Sequence, residues 1–428
     1  MHRRWRTGLR ALLILVAGQL VFMPVPAAQD EDLEVLFREG MQALEDYRLR
    51  SAREAFQAIL NTDPSLHRAR LELAMTYYRM LDYQQAETLA RQVLEDPQTP
   101  TQVRLTITAF LAQVEADRAR FARRHAWRAS LAFGGMHDSN VNVGPSSEIL
   151  ADNIRLLPGF TRRSDNALFV QPGLSHTYNP GRRIPLGEQV ASLLWQSQFS
   201  FYDREYHEQD DFNLNVVTLS TGPVLVALKQ WRAGLNLTFD RVALGGDVLA
   251  LFTTLQPHVT WQFERGELTL DAAWSHRRYA SEVDSGREGD YGAFGGSLVR
   301  HFLDRRLSLQ GGLHYLDFDA DQSRWSYQGP ELMLGASYNA WERGRLFARA
   351  VQRSLDYDGV FPPFGEARDE RERRFTLGFS HVFAGGPLDR WRMQAEWQRV
   401  FNRSDVNLFE YDRSQVSLTF SRGFELGS

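Results

Sequence analysis

The chain has 428 residues, enough for more than one domain, with 43% hydrophobic and 12% aromatic residues, no cysteine and a formal net charge of −4. The missing cysteine excludes a disulfide framework, a thiolate metal site, a thiol nucleophile and an acylated N-terminal cysteine. Arg3, Arg4, Arg6 and Arg10 crowd the N-terminus; the chain without them is more acidic still, which argues against a nucleic-acid partner.

Arg3 to Arg10 read as a basic n-region, and Ala11 to Met23 as an apolar stretch too short to cross a bilayer. The small residues of Pro-Val-Pro-Ala-Ala follow, so a secretory signal is expected over residues 1–28. No later run of about 20 apolar residues occurs, so a helical membrane protein is not expected.

From residue 33 to about 124 the sequence is helical in character: rich in Ala, Leu, Glu, Arg and Gln, without Gly after Gly40, and with Pro only at breaks. Two segments superimpose with a period of about 34 residues. Gly40 falls on Ala74, Ala43 on Tyr77, Ala52 on Ala86 and Phe56 on Ala90, while Pro64 and Pro97 end the units. Small residues let antiparallel helices approach, and proline stops the second helix of a unit. These positions resemble tetratricopeptide repeats, with Gly40, Ala52, Phe56 and Pro64 the strongest set and Ala74, Tyr77 and Ala86 their counterparts. Such a repeat implies a concave groove for an extended peptide or partner helix. Tyr78 and Arg79 are candidates to line it, whereas Tyr77 sits where core packing is expected.

After Ala126 the period switches from helical to two. Leu235, Leu237 and Phe239 interleave with Asn236, Thr238 and Asp240; Leu307, Leu309, Leu313 and Tyr315 with Ser308, Gln310, Gly312 and His314; Val416, Leu418 and Phe420 with Ser417, Thr419 and Ser421. Strand starts are expected near Trp127, Asn166, Glu188, Asp211, Gln230, Leu249, Gly266, Asp290, Arg305, Tyr327, Gly344, Arg371, Arg390 and Glu410. Short connections around 227–229, 264–266, 303–305, 342–344 and 384–389 alternate with longer ones at 137–165, 203–210, 241–248, 280–289, 317–326, 356–370 and 402–409. An apolar face alternating with a polar one, and short turns alternating with long loops, predict an up-and-down membrane barrel of about fourteen strands. Arg232, Asp240, Asp271, Gln310, Arg349, Arg353, Glu396 and Gln398 are expected to face inward. The expected organisation is an α + β multidomain chain: signal peptide 1–28, periplasmic tetratricopeptide-repeat domain 29–125, and antiparallel outer-membrane β-barrel 126–428.

Enzyme chemistry is not expected. The histidines are scattered and none has metal-ligand spacing. His137-Asp138-Ser139 holds all three triad residue types, but neighbours on a strand end point to opposite faces and cannot form one. No phosphate loop or dinucleotide fingerprint occurs, and neither cofactor nor metal is expected.

The first strand ends in Phe-Gly-Gly-Met-His-Asp-Ser-Asn-Val-Asn, from Phe133 to Asn142, with Asp138, Ser139, Asn140 and Asn142 its most specific part. The chain closes with Tyr-Asp-Arg-Ser-Gln-Val-Ser-Leu-Thr-Phe-Ser-Arg-Gly-Phe, from Tyr411 to Phe424. With the helical repeats ahead of the barrel, this layout resembles the surface lipoprotein assembly modifier family. The resemblance implies an outer-membrane translocation factor that delivers lipoproteins or other substrate proteins to the cell surface. The partners it implies are outer-membrane lipid, a client protein with a periplasmic chaperone, and the barrel-assembly machinery that inserts the barrel. A polysaccharide export channel, or a passive porin with a periplasmic scaffold, is the alternative.

Overall fold

The computed structural model describes residues 27–151, 154–156, 160–228, 230–362 and 364–426. Residues 1–26 of the expected secretory segment lie outside them. The chain forms two compact units, one of the helical residues to Arg124 with Asn179–Leu194 and Leu225–Leu228, the other of the remaining strand residues.

The first unit contains α1 (Ala27–Glu45), α2 (Leu49–Thr62), α3 (His67–Arg79), α4 (Tyr83–Glu95) and α5 (Thr101–Ala122). Burial recurs at helical spacing, as in Leu49, Ala52, Phe56 and Ile59 of α2. Phe56 fills the α1–α2 interface, and a Cβ built on Gly40 would lie 2.8 Å from the Phe56 ring. Ala52, Ala74, Ala86 and Ala90 are buried at the helix contacts. Two apolar clusters result, one around Phe37, Leu44, Phe56, Ile59 and Leu73, the other around Tyr78, Tyr83, Val93, Ile107, Phe110 and Val114. Both ends of α4 are closed by side chains. Asp82 accepts from the Gln85 N–H at the start of α4, and Arg104 donates to the Leu94, Asp96 and Thr99 carbonyls at its end.

This unit takes in more chain than the 29–125 span expected for it. Ser51 donates from both its N–H and its hydroxyl to the Glu188 carboxylate, at 3.0 and 3.1 Å. Arg183 pairs with Asp82 at 3.3 Å, and the Asn179 amide donates to the Phe121 carbonyl at 2.7 Å. These polar ties bring a strand connection into the helical unit, and nothing in local sequence pattern announces them.

The second unit is a closed antiparallel barrel. Its strands are β1 (His125–Asp138), β2 (Asp165–Tyr178), β3 (Gln189–Tyr206), β4 (Leu214–Ala227), β5 (Trp231–Leu244), β6 (Asp247–Phe263), β7 (Gly266–Tyr279), β8 (Gly289–Phe302), β9 (Leu307–Ala320), β10 (Tyr327–Trp341), β11 (Gly344–Phe361), β12 (Glu366–Val382), β13 (Arg392–Ser404) and β14 (Tyr411–Leu426). Each pairs with the next in the chain, and β1 pairs with β14 to close the ring, Trp127 opposite Leu426 through Asp138 opposite Gln415. A short strand, Arg183–Leu186, adds only to the start of β3.

Alternation decides the two faces. Leu270, Trp274, Phe294, Leu298, Leu313, Leu332, Leu377, Trp397, Val416 and Leu418 are all exposed on the outside. Trp127, Trp195, Trp261 and Trp341 are exposed on the same face, near the short-turn end. A continuous apolar belt with an aromatic girdle is the surface of a barrel solvated by lipid. On the opposite face Arg232 pairs with Glu267 at 2.9 Å, His314 with Asp271 at 3.0 Å, and Thr218 donates to Asp240 at 2.6 Å. Polar groups facing in and apolar groups facing out reverse the arrangement of a water-soluble sandwich.

One sequence expectation changes. The strands run further than expected, so most of the long connections shrink. Gly245 and Gly246 alone join β5 to β6, and residues 362–365 join β11 to β12. Both glycines have positive φ, 59° and 93°, so a two-residue turn closes without strain. Only 139–164 remains a long loop, while 383–391, on the short-turn side, is as long as 280–288.

Candidate functional site at the barrel mouth

At the end of the barrel opposite the short turns, the run beginning at Asp138 ties the first strand to the last. Asp138 is fully buried at the end of β1. Its carboxylate accepts from Arg413 Nε at 3.0 Å and also from Arg413 Nη2, from Gln415 at 2.8 Å and from the Tyr206 hydroxyl at 2.9 Å. The Asn140 N–H donates to the same carboxylate. Asp138 thus joins β1, β14 and β3 through one side chain. Ser139 exchanges backbone and hydroxyl hydrogen bonds with Ser414. Asn140, also fully buried, donates to the Gly144 and Asp412 carbonyls and accepts from the Gly144 N–H. Asn142 donates to the Thr161 carbonyl and accepts from the Arg163 N–H, pinning the two ends of the long loop together. The carboxylate and amides of this run act as backbone clasps.

The loop that follows turns inward at its root. Val141 is buried against Ala167 and Tyr206, with Met136 and Phe212 beside them. Further along, Ser146 donates to the Glu410 carbonyl, and Asn407 donates to the Leu150 carbonyl. The first loop therefore lies against the connection between β13 and β14.

Another part of the mouth is an arginine–aromatic stack. Arg368 on β12 is buried, with its guanidinium carbon 3.8 Å from the ring centres of both Tyr357 and Phe409, and it pairs with Glu370 at 3.0 Å. Trp325, Phe361 and Phe409 pack edge to face around it, 4.9 to 6.3 Å apart. Arg287, from the β7–β8 connection, covers Trp325 at 4.3 Å. Cation–π contacts of this kind contribute about 0.5–2 kcal/mol each, and together they hold neighbouring connections in one layer. Below the stack the inner wall carries Arg353 with Glu331, and Arg374 with Glu372, whose carboxylate also accepts from Tyr411. Met136, Phe169, Tyr202, Glu396, Gln398, Gln415 and Ser417 line a depression of about 190 Å³ on that wall. Among the described residues no cluster of His, Asp and Glu has the geometry of a metal site.

In the helical unit, two groove assignments change. Tyr78 is interior: it is 6% exposed, packs edge to face on Tyr83 and Phe110, and donates to Asp117 at 2.7 Å. Burial, then the Asp117 carboxylate, pushes its hydroxyl pKa well above the ordinary tyrosine value. Arg79 donates to the Leu44 carbonyl at 2.7 Å and lies over the Tyr47 ring, closing the end of α1. Tyr77, expected in the core, packs half-buried against both apolar clusters, and its exposed edge lines a shallow depression of about 260 Å³ with Arg53, Glu54, Gln57, Ala58 and Asn61. Adjacent helix residues point about 100° apart; the packing of α5 on Tyr78 fixes which of the two tyrosines turns in. Pro64 lies between α2 and α3, its carbonyl accepting from Arg70.

A closed fourteen-strand barrel with a lipid-facing belt, preceded in the chain by five helices, is an outer-membrane β-barrel protein. The chain is similar to Surface lipoprotein assembly modifier 1 of Neisseria meningitidis serogroup B, with 21% identity over 96% of this chain and 80% of that protein. The similarity runs along nearly the whole of this chain, through the helices and the barrel. No protein-family model matches. Among solved structures, Pseudomonas aeruginosa OprD is 8% identical with a TM-score of 0.38, over 71% of this chain and 96% of OprD. Pseudomonas aeruginosa OpdO is 13% identical with a TM-score of 0.33, over 71% of this chain and 98% of its own. The barrel assignment rests on the strand pairing and the outer belt rather than on these matches.

Proposed function

We propose that this protein is an outer-membrane translocation factor that helps deliver lipoproteins or other substrate proteins to the cell surface, without covalent chemistry or a cofactor. The observation that carries this reading is the similarity to a surface lipoprotein assembly modifier across 96% of the chain, spanning both the helices and the barrel. In this reading the helical unit lies in the periplasm and receives the client, alone or with a chaperone. The depression beside Tyr77 is its first candidate contact. The inner wall, with its paired arginines and glutamates, gives a passing polypeptide polar contacts that exchange easily with water. Insertion of the barrel itself falls to the barrel-assembly machinery.

Deleting residues 33–124 tests the division of labour. The expected result is a barrel that still reaches the outer membrane in protease-resistant form while client display at the surface falls to background. Undiminished display from the truncated chain would remove the helical unit from the pathway.

A further inference from the structure

Two adjacent strands carry an unusual outer face just beyond the apolar belt. On β12 and β13, Leu377 and Trp397 are opposite each other and exposed within the belt. Toward the mouth the same outward positions become Phe375 opposite Arg399, Arg373 opposite Phe401, and Arg371 opposite Arg403. Four arginines therefore alternate with two phenylalanines in one patch. At this level other strands present outward acids, as at Asp203, Asp290 and Asp317, or a single arginine, as at Arg241 and Arg278.

The patch is short of anions. Asp412 serves both Arg403, at 3.3 Å, and Arg399, at 3.9 Å, and Glu410 reaches only Arg403, at 3.4 Å. Arg373 has only the neutral Gln352, at 3.1 Å. Neither Arg371 nor Arg373 has an ion-pair partner among the described residues, and Arg399 keeps a buried Nε with no hydrogen-bond partner. Further carboxylates lie closer to the rim, where Asp369 and Asp356 face each other in register and Asp405 lies beside Asp369. Like charges placed directly opposite on neighbouring strands are destabilising, as Arg371 and Arg403 are here. An anion shared between them reverses that sign.

We propose that the outer face of β12 and β13 binds the phosphorylated headgroup of lipid A. Arg371, Arg373, Arg399 and Arg403 hold its phosphates, and Phe375, Phe401 and Trp397 pack on its acyl chains. Guanidinium forks match phosphate oxygens bidentately, and rings at the level where headgroup meets hydrocarbon suit a lipid better than a soluble anion. The inference rests on the outer-membrane reading, with the mouth on the outer leaflet.

The test is native mass spectrometry of the full chain released from detergent micelles and titrated with bisphosphorylated lipid A. One bound lipid A per chain is expected. Affinity should fall at least tenfold in the variant combining R371Q, R373Q, R399Q and R403Q, and several-fold in R371Q or R373Q alone, whose exposed side chains carry no ion pair. R241Q and R278Q, elsewhere on the outer face, should bind as the parent does. Equal binding by the combined variant in heat-modifiable, folded form overturns the proposal. So does equal binding of dephosphorylated lipid A or of phosphatidylglycerol. Cell fractionation, scored separately, tells failure of this site from failure of the outer-membrane reading.

Discussion

Replacing Asp138 tests whether the β1–β14 seam depends on one buried carboxylate. Asp138 has no exposed side-chain surface, and its partner Arg413 is 19% exposed. Asp138→Ala leaves Arg413 without its anion and strands the Tyr206 hydroxyl and the Gln415 amide that donated to it. Breaking a buried ion pair from one side costs about 3–5 kcal/mol. Water reaching Arg413 lowers that, so the expected loss is about 2–4 kcal/mol. Asp138→Asn keeps the shape and an acceptor oxygen and should cost about 1–2 kcal/mol. Urea unfolding in lipid vesicles, followed by tryptophan fluorescence, reads the change as a lower midpoint at unchanged slope. Arg413→Met in the Asp138→Ala background should recover part of the loss, because it removes the stranded charge. A midpoint shift worth less than about 0.5 kcal/mol, or strict additivity in the double variant, would refute the seam argument.

Three further predictions follow from the fold. Leu313, in the middle of β9 and 59% exposed, faces lipid, so Leu313→Arg should destabilise the barrel by about 2–4 kcal/mol. Gln310→Arg on the inner face of the same strand should change it little, and equal effects would mean the faces are misassigned. Gly40→Val would drive a side chain into Phe56 and should cost about 1–3 kcal/mol of helical stability. Faster limited proteolysis of the helices with an intact barrel band would show it, and a wild-type digestion rate would count against the α1–α2 contact. The helical unit should also lose stability in acid. Glu87 is held below the ordinary carboxylate range chiefly by the Arg91 hydrogen bond, Asp96 by the Gln98 N–H and Asp63 by the Ser65 hydroxyl. Their contribution is complete above pH values of about 4–5 and is lost as pH falls through their lowered values. Glu72, raised by burial, has the opposite sign and gives back a little stability when protonated. The helical circular-dichroism signal of the full chain should therefore fall below about pH 4 while the strand signal persists; constant helicity under those conditions contradicts these assignments.

The alternation that marks the barrel was legible because every lipid-facing residue must be apolar, whatever its neighbours, so Leu235 and Phe239 or Val416 and Leu418 announce the pleat locally. Strand ends were less legible: near the mouth the outward residues turn polar, as Asp317 and Arg371 do, and alternation stops reporting a strand that continues. The run from Asp138 to Asn142 stood out in the sequence only as a motif at the end of the first strand; its clasping role did not show, since Arg413 lies 275 residues from Asp138 and Tyr206 lies 68 away. The Arg368 stack was invisible for the same reason, its rings coming from β11 and from two separate connections far apart in the chain. Tyr77 and Tyr78 show the limit inside one helix. The repeat pattern fixed the small residues that pack, whereas a partner helix outside the repeat decided which tyrosine was buried.

Surface display of the lipoprotein encoded nearest to this protein's gene, compared with and without the protein, tests the delivery reading most directly. Protease shaving of intact cells reports the displayed fraction, and a blot of whole lysate reports the total. Display that depends on this protein at constant total lipoprotein is the predicted result. Unchanged display on removal of the protein would contradict it and turn attention to an export channel for polysaccharide or a porin, with single-channel conductance the measurement to follow.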